Sequence, residues 1–188
     1  MKAIQAAYHG SYDALRLVDI ARPRARVGQA LVRVTSAGVT PLDRTVLAGL
    51  HPRAAAPPRV PGNEGAGIVI EDPSGRFSAG ERVLFFAGPG GVTQDGTFAE
   101  ITSVPSGNLA PLPGEIPDEI AGGLPVAYLS AFLALRQAGF RAGQSVLAPG
   151  AGGSVGNATL KWAAPLIRRG VRRPPVSVRP EGLAARGG

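Results

Sequence analysis

Apolar and polar residues alternate over Ala30–Thr35, with Leu31 and Arg33 on one side of the chain and Val32 and Val34 on the other. That period of two predicts a β-strand. Gly67–Glu71, Arg82–Phe86 and Phe98–Val104 are further strand candidates. Turn chemistry separates them: Asp72-Pro73-Ser74-Gly75, Ser78-Ala79-Gly80 and Pro89-Gly90-Gly91. Short strands at this spacing predict a β-barrel or sandwich over roughly residues 1–115. The pattern changes at Pro117-Asp118-Glu119, a helix start with acids in its first turn. Val126–Ala138 then reads as a largely buried helix, stopped by Gly139 in the C′ position. Ser145-Val146-Leu147-Ala148 reads as a short buried strand, and Asn157–Ala164 as a helix that Pro165 ends early. No internal repeat interrupts this order.

Charge is distributed unevenly. The chain of 188 residues has a formal net charge of +7. Residues 1–160 are nearly balanced. The excess sits in the last 28 residues, which hold Lys161, Arg168, Arg169, Arg172, Arg173, Arg179 and Arg186 against the single acid Glu181. Basicity therefore belongs to a tail and not to the predicted barrel, so a nucleic-acid partner is not the expectation for the folded part. The chain has no cysteine, which excludes disulfides, thiolate catalysis and every zinc site built on Cys. His9 and His51 are its only histidines. The first residues lack a signal-peptide core. The longest uncharged apolar run, Ile120–Leu135, is broken by Gly122, Gly123 and Pro125 and falls short of a bilayer of about 30 Å. A cytoplasmic location with no membrane partner is the expectation.

Between the predicted strand 145–148 and the helix lies Pro149-Gly150-Ala151-Gly152-Gly153-Ser154-Val155-Gly156. Strand, glycine-rich turn and helix form the arrangement that holds a dinucleotide. Glycines permit a sharp turn and let backbone N–H groups approach a pyrophosphate, and the helix N-terminus adds the field of about half a unit charge. The spacing is G-x-x-G-x-x-G and not the strict G-x-G-x-x-G. Gly150, Gly153, Ser154, Val155 and Gly156 are the candidate cofactor-binding residues of this turn.

Seven segments in register also carry a family resemblance. They are Ala37–Asp43 (AGVTPLD), Gly49–Pro52 (GLHP), Pro61–Gly67 (PGNEGAG), Gly80–Val83 (GERV), Gly96–Glu100 (GTFAE), Leu124–Ala131 (LPVAYLSA) and Gly150–Gly156 (GAGGSVG). Up to about residue 164 the chain resembles the zinc-independent, quinone-oxidoreductase-like branch of the medium-chain dehydrogenase/reductase superfamily. The resemblance implies an α+β/α/β chain. A GroES-like β-barrel catalytic domain (1–116), of the alcohol dehydrogenase-like N-terminal kind, precedes linking helices and the first βα unit of an incomplete Rossmann domain (117–164). It implies hydride transfer from NADPH to a quinone or other conjugated carbonyl.

Zinc-dependent members hold their metal with a Cys and with the His of a GHE segment. Here Gly38–Asp43 contains no Cys and the histidine position is Asn63, so no zinc is expected. Ser130 takes the place of the family Thr near the nicotinamide, although a helical Ser also bonds back to a carbonyl one turn earlier. Thr40 stands where the family often has Asn beside the nicotinamide, with a plain turn residue as the alternative. His51 replaces a Tyr that lines the substrate cleft, with a surface histidine as the alternative. Asp43 and Glu64 read as structural carboxylates.

The resemblance fails after Ala164. A second apolar strand ending in a ribose-binding acid should follow, but Pro165, Pro174 and Pro175 break it and no acid lies between Asn157 and Glu181. The expectation is a truncated chain. Its segment 165–188 is read as an Arg/Pro-rich stretch, either out of frame or disordered. As it stands the chain would be impaired or inactive, because one βα unit cannot close a dinucleotide site and leaves the helix Val126–Ala138 uncovered. The alternatives from other classes are a non-catalytic barrel that needs a partner or oligomer to cover that helix, and a nucleic-acid binder acting through its tail.

Overall fold

The longest strand in the computed structural model, β3 (Gln29–Ala37), lies between β6 (Ile101–Pro105) and β4 (Glu64–Glu71). Beyond β4 come β5 (Arg82–Phe86) and β7 (Leu109–Pro111), giving an antiparallel order β6-β3-β4-β5-β7. The structure describes residues 1–148 and 150–164. They fall in two compact units, Met1–Val126 and a second beginning at Ala127. In the first unit β1 (Lys2–Ala6) and β2 (Leu15–Asp19) form a separate antiparallel ribbon. The ribbon joins the sheet where Phe98 and Glu100 bond to Ile4 and Lys2, so the expected strand Phe98–Val104 serves two neighbours in succession. Helices α1 (Pro41–Leu47) and α2 (Asp118–Ala121) complete the unit.

Connectivity forces this sheet to curl. β6 and β7 are its two edges, yet only Ser106–Asn108 separates them in sequence. The chain from Pro105 to Leu109 reaches at most about 14 Å. In a flat sheet the outer strands of five would stand about 19 Å apart. The edges must therefore approach each other around a shared interior. Val104 of β6 and Leu109 of β7 accordingly lie in one buried cluster with Val32, Val69, Val83 and Phe85.

The bend is made where β3 crosses β4, with register shifts between Leu31 and Val32 and between Val34 and Ser36. β4 offers glycine at these crossings. A Cβ on Gly67 would lie 2.3 Å from the Arg33 carbonyl oxygen, and one on Gly65 would lie 2.8 Å from the Ser36 carbonyl and 2.9 Å from the Phe85 ring. Glu64, at the start of the same strand, is buried. Its Oε2 accepts the Val126 N–H at 2.6 Å. Burial pushes this carboxyl above its ordinary pKa and the nearby Asp43 charge adds to the rise, while the Val126 hydrogen bond opposes it. Two other carboxylates clamp loops. Asp72 accepts the hydroxyls of Ser74 and Ser106 and the N–H groups of Ser74 and Phe77. Burial alone would raise its pKa, but these donors together hold it below the ordinary value. Asp118 pairs with Arg82, which also donates to the Ile116 carbonyl.

The second unit holds α4 (Ser154–Ala163) and all but the first two residues of α3 (Pro125–Gln137). Gly139 has φ +66° and its N–H bonds to Arg136, while Phe140 N–H bonds to Leu135, a Schellman ending at the expected C′ glycine. Two expectations need correction. Ser145–Ala148 is not a buried strand: it has no regular structure, and Leu147 is 91% exposed. A parallel strand needs a neighbour for its N–H and C=O groups, and no strand among the described residues pairs with it. Nor is α3 largely buried. Ala127 and Ala131 pack with Ala158 of α4, whereas Leu129, Phe132 and Leu133 are exposed. Small residues one turn apart let the two helices approach, and the bulky positions find no cover. Phe132 meets Trp162 at a ring separation of 5.6 Å. Segment 165–188 lies outside the described residues. Among the described residues no helix is long and apolar enough to cross a membrane.

Gly67→Ala is expected to lower stability by about 3 kcal/mol or more, because a backbone carbonyl occupies the Cβ position. Gly75→Ala, in open space at φ +72°, is expected to cost only about 1–2 kcal/mol. Urea unfolding followed by circular dichroism compares the two. For Glu64, both folded and unfolded states are protonated at low pH. Between the ordinary carboxyl pKa and the raised folded one, only the unfolded state has lost its proton, so stability falls as pH rises through that window. Glu64→Gln, which keeps an oxygen for Val126, is expected to gain on the parent across that window and to hold a constant advantage above it. Urea midpoints at a series of pH values measure the difference.

Candidate functional site

In the first unit the polar residues near the predicted site converge on Asp43. Thr40 is the N-cap of α1, and Pro41 follows at the first helical position, where a missing N–H costs nothing. Asp43 Oδ2 accepts the Thr40 N–H at 2.7 Å and the Thr40 hydroxyl at 2.8 Å. Its Oδ1 accepts the Gly62 N–H at 3.0 Å. Gly62 has φ +95°, and a Cβ there would strike Thr97 Oγ1 at 2.3 Å. One buried carboxylate thus ties the start of α1 to the loop that leads into β4. Asn63 lies beside it, 3.4 Å from the Thr40 hydroxyl and almost wholly buried. Asn63 is the residue sequence reasoning passes over: the resemblance marks its position only as one lacking a histidine.

His51 stands apart from this cluster in a turn after α1. Its Nδ1 accepts the Arg53 N–H at 3.2 Å, which places the proton of the neutral ring on Nε2. Among the described residues no group of three His, Asp or Glu side chains is arranged to hold a metal ion.

In the second unit the glycine turn has the expected form. Gly150 adopts φ +71°, and its carbonyl accepts the Gly153 N–H at 2.9 Å. Gly153 is the N-cap of α4 and supplies no side chain to cap it. Its carbonyl takes the Asn157 N–H, so the N–H groups of Ser154, Val155 and Gly156 are the first-turn donors that the helix itself leaves unpaired. Gly156 is the glycine with least freedom. A Cβ on it would lie 2.5 Å from the Gly150 carbonyl oxygen, whereas on Gly153 the same carbonyl is at 3.4 Å and on Gly152 nothing lies within 4 Å. The helix begins at Ser154, three residues before the sequence expectation, so Ser154, Val155 and Gly156 belong to its first turn.

A cleft of about 950 Å³ opens over this turn, lined by Gly150, Gly153, Ser154, Val155 and Gly156 together with apolar residues of α3 and of 145–148. The structure therefore brings together five of the seven candidate cofactor-binding residues, Ser130 and Thr40 lying outside the cleft. Ser130 is exposed on α3 and does not line the cleft. Its hydroxyl makes no hydrogen bond among the described residues, unlike Thr45 and Thr159, which bond back to carbonyls four residues earlier.

The alcohol dehydrogenase GroES-like domain family matches residues 26–114. Quinone oxidoreductase of Rattus norvegicus is 34% identical over 167 residues, which are 87% of this chain and 49% of that protein. The 2-methylene-furan-3-one reductase of Solanum lycopersicum is 31% identical over 170 residues, 87% of this chain and 44% of that one. The chain spans about half the length of the curated relatives it matches. Among solved structures, the quinone oxidoreductase of Thermus thermophilus, described together with its NADPH complex, aligns with a TM-score of 0.73 and 34% identity over 88% of this chain and 50% of that one. Residues 26–114 belong to the alcohol dehydrogenase GroES-like domain family, and the chain is similar to quinone oxidoreductases of the medium-chain dehydrogenase/reductase fold over about half their length.

Proposed function

We propose that this chain carries the hydride-transfer machinery of a zinc-independent, NADPH-dependent reductase of quinones or other conjugated carbonyls, in a form with weak cofactor binding. The observation that carries the reading is the first turn of α4. Three unpaired N–H donors, no side-chain cap and the cleft above them fit a pyrophosphate. The names of the relatives, an NADPH complex among them, support the same cofactor and acceptor class.

Bound at this turn, the nicotinamide cofactor would supply the hydride. The chain's own part is to hold and orient it. Ser154, Val155 and Gly156 offer backbone N–H groups to the pyrophosphate oxygens. Ser130, Thr40 and His51 keep the roles that the resemblance gives them, each within the chemistry its surroundings leave open. The Ser130 hydroxyl is uncommitted and donates where oxygen charge develops. Thr40 has given its proton to Asp43, so toward a ligand it acts only as an acceptor. His51 offers Nε2–H as a donor. Zinc independence rests on the donor set: no Cys in the chain, and Asn63 where the metal-binding histidine would stand.

Weak binding follows from what surrounds the turn. No strand among the described residues flanks 145–148, and no Asp or Glu between Asn157 and Glu181 is available for the adenosine ribose. Remote binding energy of this kind is what holds a cofactor at ordinary concentrations.

Calorimetric titration with NADPH is expected to give weak, saturable binding that Gly156→Ala weakens at least tenfold, about 1.4 kcal/mol, and that Gly152→Ala leaves unchanged. Equal affinity in the parent and in Gly156→Ala would overturn the site. With NADPH and a simple quinone, steady-state turnover is expected below about 1 s⁻¹. Ser130→Ala should lower it further without changing the NADPH dissociation constant.

A further inference from the structure

The first unit contains a second cleft, of about 660 Å³, that none of the residues given a role above lines. Four arginines face it: Arg22, Arg24, Arg26 and Arg59. Asp95 is its only acidic lining residue. That carboxylate does little to neutralise the cleft. Its Oδ1 accepts the Val60 N–H at 3.0 Å and stands 3.7 Å from Arg59 Nη1, a loose pairing. Arg59 Nε is buried and has no hydrogen-bond partner among the described residues. Arg22, Arg24 and Arg26 alternate along an exposed segment, and none has a carboxylate within ion-pair distance among the described residues.

Three cations on one short segment repel one another, and Glu71, which lines an adjoining hollow with Arg22 and Arg24, stands beyond ion-pair distance of them. The repulsion is relieved by one kind of ligand, a compact group with several acceptor oxygens and more than one negative charge. Guanidinium forks match the paired oxygens of phosphate. The volume lies within the range of about 300–1,000 Å³ that small-molecule sites occupy. Around the rim Gln29 Oε1 accepts the Ser103 hydroxyl at 2.6 Å, so the Gln29 side-chain NH₂ group is left as a neutral donor beside the cations.

We propose that this cleft is a second ligand site, which takes a small, multiply charged phosphate compound through Arg22, Arg24, Arg26 and Arg59. The site is independent of the glycine turn and of the reductase reading. The test is calorimetric titration of the whole 188-residue chain with sodium tripolyphosphate at low ionic strength. One saturable site is expected. Arg22→Ser combined with Arg24→Ser should raise its dissociation constant at least tenfold while the thermal unfolding curve stays in place, since both side chains are exposed. Arg172→Ser with Arg173→Ser, and separately Gly156→Ala, should change it less than twofold. Loss of binding in either of those two chains instead would assign the anion to the tail or to the glycine turn and overturn the proposal. Absence of saturable binding, or unchanged affinity in the Arg22/Arg24 double variant, would overturn it as well. A short DNA duplex that binds through Arg22 and Arg24 where tripolyphosphate does not would show a polymer surface in place of a small-ligand site.

Discussion

The first unit depends on one close approach, the Arg33 carbonyl against the Cα of Gly67. Because β4 lacks a side chain there, β3 can cross it at a distance no other residue permits, and the sheet bends instead of running flat. The bend lets the edges β6 and β7 be joined by three residues. That closure gathers side chains from all five strands into one core. Gly65 repeats the device on the same strand beside Ser36 and Phe85, so the curvature is set by two missing Cβ atoms in the middle of the sheet.

The two units satisfy their polar groups differently. In the first, carboxylates are taken up in holding the chain together. Asp43 takes three donors, Asp72 takes four and Glu64 takes the Val126 N–H, so these acids have little left for chemistry. In the second unit the polar groups that matter are backbone N–H donors at the start of α4, and nothing among the described residues takes them up. Its apolar side chains show the same openness, with alanines forming the close helix–helix contact and the larger residues left in solvent.

Legibility in the sequence follows the source of each element's stability. Arg82–Phe86 reads with its true bounds because a short apolar run follows a turn signal and both its faces are covered, Val83 and Phe85 by the main core and Leu84 by Ala66, Leu112 and Ala121. β4 reads three residues short, since glycine carries no hydropathy signal even where its small size is the reason for its presence. β1 and β2 escape the sequence reading because their pairing is with each other and with Phe98–Glu100, a partnership no local pattern encodes. α1 reads as a turn, although Thr40-Pro41 with Asp43 is a helix start; its seven residues are too few to show a helical period. At the site, the glycine turn is legible because its chemistry is backbone chemistry written directly as glycine. Asn63 is not, because its environment is made by residues distant in sequence. Ser145–Ala148 fails in the opposite way: its composition is that of a buried strand, but composition cannot supply the neighbour a strand requires.

Trp162, stacked near Phe132, is the only indole in the chain. Its position in the alanine-cored second unit makes it an optical label that reports one unit and leaves the other dark. Indole fluorescence follows the loosening of α3 from α4, while far-ultraviolet dichroism in the β region follows the curled sheet. The two signals need not change together. If the units unfold separately, the chain will show two transitions with no label added, and a single stability value would average over two bodies of quite different firmness.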